Sequence, residues 1–101
     1  MSFDALLIDR CDIVRRSHDR WGAVVVEAVD LDVRCRWVYK SKLVRDFHGE
    51  EVMSYAQVFF APTVALGPND QLRYEGREWS PVRIHRPADS SRRHHVEVYV
   101  A

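Results

Sequence analysis

The chain has 101 residues, 47% of them hydrophobic, and its 15 basic and 15 acidic side chains cancel to a formal net charge of zero. That length supports one domain with a single modest core, and the hydrophobic content argues against disorder. The cancelled charge argues against a dedicated non-specific DNA binder or a polybasic membrane anchor, and no apolar run approaches the roughly 20 residues a membrane-spanning helix needs.

The start, MSFDALLIDR, is too short and too acidic for a secretion signal. The expected setting is therefore a cytoplasm, with Cys11 and Cys35 as reduced thiols buried like small hydrophobes. Residues 2–7 suit a short helical turn or an arm. Residues 8–16 (IDRCDIVRR) alternate through Cys11 and Ile13 and predict a first strand, followed by a turn at 17–22 (SHDRWG). The valines of 23–28 (AVVVEA) predict a short edge strand.

The strongest pattern is 29–39 (VDLDVRCRWVY). Val29, Leu31, Val33, Cys35, Trp37 and Tyr39 alternate with Asp30, Asp32, Arg34 and Arg36, the period of a half-buried antiparallel strand. Residues 40–51 (KSKLVRDFHGEE) lose that period and predict a long hairpin loop, with Leu43, Val44 and Phe47 as its apolar members. Residues 52–61 (VMSYAQVFFA) predict a second strong strand. Val52, Ala56, Val58 and Phe60 share one face, and Met53, Tyr55 and Phe59 share the other. Both faces are mostly apolar, so the second needs a cover: another part of the chain, or another subunit.

Two prolines and a glycine make 62–70 a loop. Residues 71–74 and 78–86 flank Glu75-Gly76-Arg77 as a β-hairpin, with Pro81 marking an edge or bulge. A polar turn at 87–93 leads to a last strand whose Val96, Val98 and Val100 point inward. The sum is an all-β domain, a small antiparallel β-barrel or sandwich of about six to seven strands with a long inserted loop.

Signals of catalysis are missing. His18, His48, His85, His94 and His95 form no chelating pair, because the adjacent His94 and His95 point to opposite faces of a strand. Asp46, Glu50 and Glu51 read as solvated charges. There is no nucleophile elbow, phosphate loop or dinucleotide fingerprint. The expectation is no enzyme, no cofactor and no metal. Trp21, Trp37, Tyr39, Tyr74 and Trp79 could stack bases as in an OB-fold, but most share the phase of the core residues, and packing explains them more simply.

The stretches DRWG (19–22), VRCRWVY (33–39), HGEEVMSYAQVFF (48–60), GPND (67–70), LRYEGREWSPVRI (72–84) and HHVEVYV (94–100) follow one another over nearly the whole chain. In this order the sequence resembles the head-completion, or stopper, proteins of long-tailed phages, part of the wider head–tail connector group. The resemblance implies a structural protein of the virion neck, made in the host cytoplasm. It implies a dodecameric ring below the portal and adaptor that retains packaged double-stranded DNA and offers a docking surface to a tail-completion or tail-tube protein. A family loop reaches into the channel. By position its residues here are Lys40, Lys42, Leu43, Arg45, Asp46, Phe47, His48, Glu50 and Glu51, whose mixed sign suits a gate that holds and releases DNA. Met53, Tyr55 and Phe59 are the candidate subunit interface. Asp89, Arg92 and Arg93 are the candidate contacts to adaptor or tail. The alternatives are an adaptor or tail-completion protein of the same neck and, in another class, a small single-stranded nucleic-acid-binding barrel.

Overall fold

A computed structural model describes residues 6–86 and 95–101. Seven strands, β1 Asp9–His18, β2 Val24–Arg45, β3 Glu51–Phe60, β4 Gln71–Tyr74, β5 Arg77–Trp79, β6 Pro81–His85 and β7 Val96–Val100, form one antiparallel sheet in the order β5-β4-β1-β2-β3-β7-β6. The two edge strands β5 and β6 are consecutive in the chain. Only Ser80 separates them, and its backbone exchanges two hydrogen bonds with Ala101, at 2.9 and 3.0 Å. The sheet thus curls round one core, as expected of a small antiparallel barrel or sandwich, although β5 and β6 do not pair with each other. No helix among the described residues is long and apolar enough to cross a membrane.

The inner face follows the alternation of the sequence most faithfully in β3 and β7. Ala56, Val58 and Phe60 are fully buried, and they pair in register with Val100, Val98 and Val96, also fully buried. Burying a side chain of this size contributes about 1.5–3 kcal/mol, so these few residues anchor the fold. Cys11 and Cys35 are buried free thiols. The neighbouring Cys35 thiol and burial push the Cys11 thiol well above its ordinary range. The β4–β5 hairpin closes on Glu75 (φ 52°) and Gly76 (φ 75°), two consecutive left-handed residues that form the tight turn expected at Gly76. Pro81 opens the edge strand β6 beside a bulge, where a residue without an N–H costs no ladder bond.

Strand β2 corrects two sequence expectations. The predicted edge strand at 23–28 and the predicted central strand at 29–39 are one element, β2, of 22 residues. The long loop predicted over 40–51 is also mostly strand. β2 runs on to Arg45 and β3 begins at Glu51, leaving only 46–50 as a turn. Nothing between Ala23 and Arg45 could have ended the strand, since the stretch holds no glycine and no proline.

The period of β2 was lost because bulges break it, not because the strand stops. One bulge lies where Cys11 pairs with Val33 but Ile13 pairs with Asp30. Asp32 takes φ 54° there, and its N–H donates to the Asp12 carboxylate at 3.0 Å. Another lies where Tyr39 pairs with Ala56 but Lys42 pairs with Ser54. Each bulge inverts the phase. Val29 and Leu31, expected to face the core, are therefore 38% and 68% exposed, whereas Val44 enters the core phase opposite Val52.

The loop 61–70 is tied to β1 by Asp70. One Asp70 oxygen accepts from the Arg16 N–H at 3.2 Å, the other from the Gly67 N–H at 2.9 Å and from the Arg15 guanidinium at 3.4 Å. Arg15 also holds Asp30 at 2.7 Å and donates to the Ala65 carbonyl. Loop, β1 and β2 are thereby clamped at the point where β1 and β2 leave the body as a two-stranded arm.

Candidate interaction surfaces

Both hairpins of β2 end in the same turn. At one end Asp19 Oδ1 accepts from the N–H groups of Trp21 and Ala23, at 2.8 and 2.9 Å. At the other, Asp46 Oδ1 accepts from His48 and Glu50, at 2.8 and 3.0 Å. Gly22 (φ 83°) and Gly49 (φ 82°) supply the left-handed residue, and each donates back to the aspartate carbonyl. This is a type I turn followed by a glycine bulge. The Glu50 and His48 amides hold the Asp46 carboxyl below its ordinary value, against a smaller opposing effect of desolvation.

The candidate channel residues therefore divide. Lys40, Lys42, Leu43 and Arg45 stand on β2, Asp46, Phe47, His48 and Glu50 occupy the turn, and Glu51 opens β3. Asp46, Phe47 and His48 line a hollow of about 390 Å³ with Pro68, Asn69, Pro81 and Val82, so the tip faces the body across it. Lys42, Leu43 and Arg45 line another with Arg83, His85 and Tyr99, and the Lys42 ammonium sits 5.4 Å from the Tyr99 ring centre. Arg45 donates to the Gly49 carbonyl at 2.8 Å, tightening the turn.

Met53, Tyr55 and Phe59 share the outward face of β3, as expected, and Met53 and Tyr55 are 40% and 53% exposed. Cross-strand pairing aligns Arg36, Phe59, Glu97 and His85 in one outward row, and Val38, Gln57, Tyr99 and Arg83 in the next. Phe59 is half-buried, with its ring 5.8 Å from that of His95. Asp89, Arg92 and Arg93 lie outside the described residues.

The aromatic residues split as well. Trp37 and Trp79 are core side chains, 6% and 5% exposed, and each indole N–H is buried without a partner among the described residues. Trp37 stacks on Tyr74 at 4.2 Å and meets Trp79 edge-on at 5.4 Å. Tyr39, 56% exposed, donates its hydroxyl to Glu75 at 2.9 Å. Burial raises the Tyr74 phenol to about 12, with the charges of Asp9 and Glu75 adding to it. This cluster closes one end of the core, and its two tryptophans are not free to stack bases. Among the described residues no group of three or more His, Cys, Asp or Glu could hold a metal ion.

One surface was missed at the level of sequence: the β1–β2 arm. Residues 20–32 are all exposed. Trp21 stands 79% exposed at the tip beneath the Arg20 guanidinium, and Val26 is 59% exposed. The signal that could have revealed the arm is the repeated D-x-x-G turn at Asp19 and Asp46, which brackets one unbroken strand.

No family model and no curated protein matches the chain. A solved structure does: the phage-like element PBSX protein xkdH from Bacillus subtilis has a similar fold, with a TM-score of 0.61 and 18% sequence identity, over 92% of this chain and 91% of that chain.

Proposed function

We propose that this protein is a structural component of a phage-type particle and acts in its neck, as a ring of copies below the portal and adaptor. The observation that carries this reading is the likeness to a phage-element protein over nine-tenths of both chains, set beside the sequence resemblance to head-completion proteins. A low identity speaks for fold and not for role, so the surfaces supply the rest of the argument. The β2–β3 tip is a preformed turn that presents Phe47 and His48 to solvent, with Lys40, Lys42 and Arg45 behind it and Glu50 and Glu51 beside it. In a ring such a tip lines the channel, and its mixed charge limits the grip on passing phosphates. The uncovered outward face with Met53, Tyr55 and Phe59 supplies subunit contacts.

In this reading the protein keeps packaged DNA in the head and then receives the tail. The same surfaces also suit an adaptor or tail-completion slot, and one experiment separates them. Heads from a tail-defective lysate and tails from a head-defective lysate are fractionated and probed for the protein. Its presence on DNA-filled heads and absence from free tails supports the stopper slot. Recovery on free tails moves it to tail completion, and absence from both overturns the neck role.

A further inference from the structure

The charges of β2 are segregated along its length. Glu27, Asp30 and Asp32 are its acids, and all precede its bases, Arg34, Arg36, Lys40, Lys42 and Arg45. The acidic half is the half that leaves the sheet. β3 joins β2 only from Cys35 onward, so before that point no strand among the described residues covers the far edge of β2. Val24, Val26 and Leu31 are 46%, 59% and 68% exposed along this edge. Between Val24 and Val33 this edge is guarded by its acids and two bulges, and by no lysine, arginine or proline.

The basic half borders a concave surface of matching character. A hollow of about 510 Å³ is lined by Leu6, Arg36, Val38, Phe59, His95 and Glu97. It continues past Glu97 into the hollow of Lys42, Arg45, Arg83 and His85. Glu97, the one acid in this lining among the described residues, is already engaged by His95 at 2.9 Å. On the arm Asp30 is likewise already paired, with Arg15 at 2.7 Å, so the first surface is apolar with Glu27 and Asp32 as its acidic fringe, and the second is apolar with a basic fringe. They stand on one continuous strand, which cannot fold back to bring its own halves together.

We infer that the exposed edge of the arm, around Val26, Glu27 and Leu31, docks in the Val38–Phe59 hollow of a second copy of this chain, acid to base, in a head-to-tail contact. Two different patches that complement each other make the contact heterologous, and a heterologous contact closes into a ring when its rotation allows. The zero net charge removes overall repulsion between copies, while the two fringes set direction and register. This inference rests on the ring reading above and names the surfaces that would build the ring.

The test is a charge exchange read by sedimentation equilibrium, with circular dichroism as the check on folding. The arm variant carries Glu27→Arg and Leu31→Arg, and the groove variant carries Arg36→Glu and Arg83→Glu; Glu27, Leu31, Arg36 and Arg83 are all exposed. Each variant alone should self-associate at least about tenfold more weakly than the wild type. An equal mixture should recover assembly, because the basic arm meets the acidic groove and the native arm meets the native groove. Wild-type association should also weaken as salt rises. For weak association, Leu31→Cys and Val38→Cys proteins are mixed under oxidation, and a disulfide-linked heterodimer is expected. Folded variants that assemble like the wild type overturn the docking and leave the ring to another surface. A wild type that stays monomeric at about 1 mM and yields no linked heterodimer overturns the docking too, while fractionation of heads and tails still decides the neck role.

Discussion

The two hairpins that share β2 end in the same five-residue turn, yet they relate differently to the rest of the molecule. Residues 46–48 face the loop at Pro68 and Pro81 across a hollow, and the strand behind them buries Val44. Residues 19–23 carry a solvent-facing tryptophan, and the strand behind them is exposed as far as Asp32. The turn chemistry is local and identical, so it does not explain the difference. What differs is the phase of β2 after each bulge. The bulge at Tyr39/Lys42 returns Val44 to the core phase, whereas the one at Cys11/Ile13 sends Val29 and Leu31 outward. One hairpin is therefore held by packing, and the other mainly by its own ladder, the Ser17–Glu27 bond and the anchoring of Arg15 and Arg16 to Asp70, with Val24 facing the loop at Pro68 across a hollow.

This contrast can be broken most forcefully at the root of the packed hairpin. Trp37→Ala should cost about 3–5 kcal/mol of unfolding free energy, measured by urea denaturation, whereas Val26→Ala in the arm should stay within about 0.5 kcal/mol. Trp37→Phe should cost far less than Trp37→Ala, since it keeps the ring stacked on Tyr74 and removes an unpartnered buried donor. Equal losses at Trp37 and Val26 would mean that the arm is as much core as the body.

The glycines sharpen the comparison at an intermediate scale. Both hold φ near +80°, where a Cβ is strained even in open space. Gly49→Ala should lower global stability by about 1 kcal/mol or more. Gly22→Ala should chiefly speed hydrogen exchange at 19–25, with a smaller global effect, because the arm opens without the core. Matching global losses would show the two hairpins to be equally coupled to the body.

How much of this was legible in the sequence follows from the same bulges. Strands β3 and β7 keep strict period two, and Ala56, Val58, Phe60, Val96, Val98 and Val100 were readable as core from alternation alone. Gly76 and Pro81 announced a turn and an edge irregularity, and the structure has both. The arm was not legible, because a bulge leaves no composition signature: Leu31 and Val33 look equivalent in the sequence, and only the pairing with Cys11 and Ile13 separates them. The stretch at 40–51 reads as a loop for the same reason, since Lys40 and Ser41 absorb a phase change. The outward position of Met53, Tyr55 and Phe59 was readable, but the complementary arm was not.

The smallest expected effects are those of pH. The Tyr74 phenol is raised from 10.0 to about 12, so the unfolded chain ionises first. Stability should be fully present below pH 10 and fall as pH rises from 10 to about 12, with Cys11 acting in the same direction from its ordinary 9.0 upward. Tyr74→Phe should flatten the part of the decline between pH 10 and 12. Asp46 is shifted the other way, below its ordinary 3.8. Its help to the turn should be present above pH 3.8 and be lost as pH falls through the lower folded value, seen as faster exchange of the His48 and Glu50 amides in acid. An unchanged exchange rate there would detach the Asp46 carboxylate from the turn it is drawn to support.

The most direct measurement is electron microscopy of particles from a phage lacking this gene. The neck account predicts finished tails lying separate beside heads that have lost their DNA, and restoration of whole virions when the protein is supplied in trans. Normal, tailed, DNA-filled virions without the protein would contradict it.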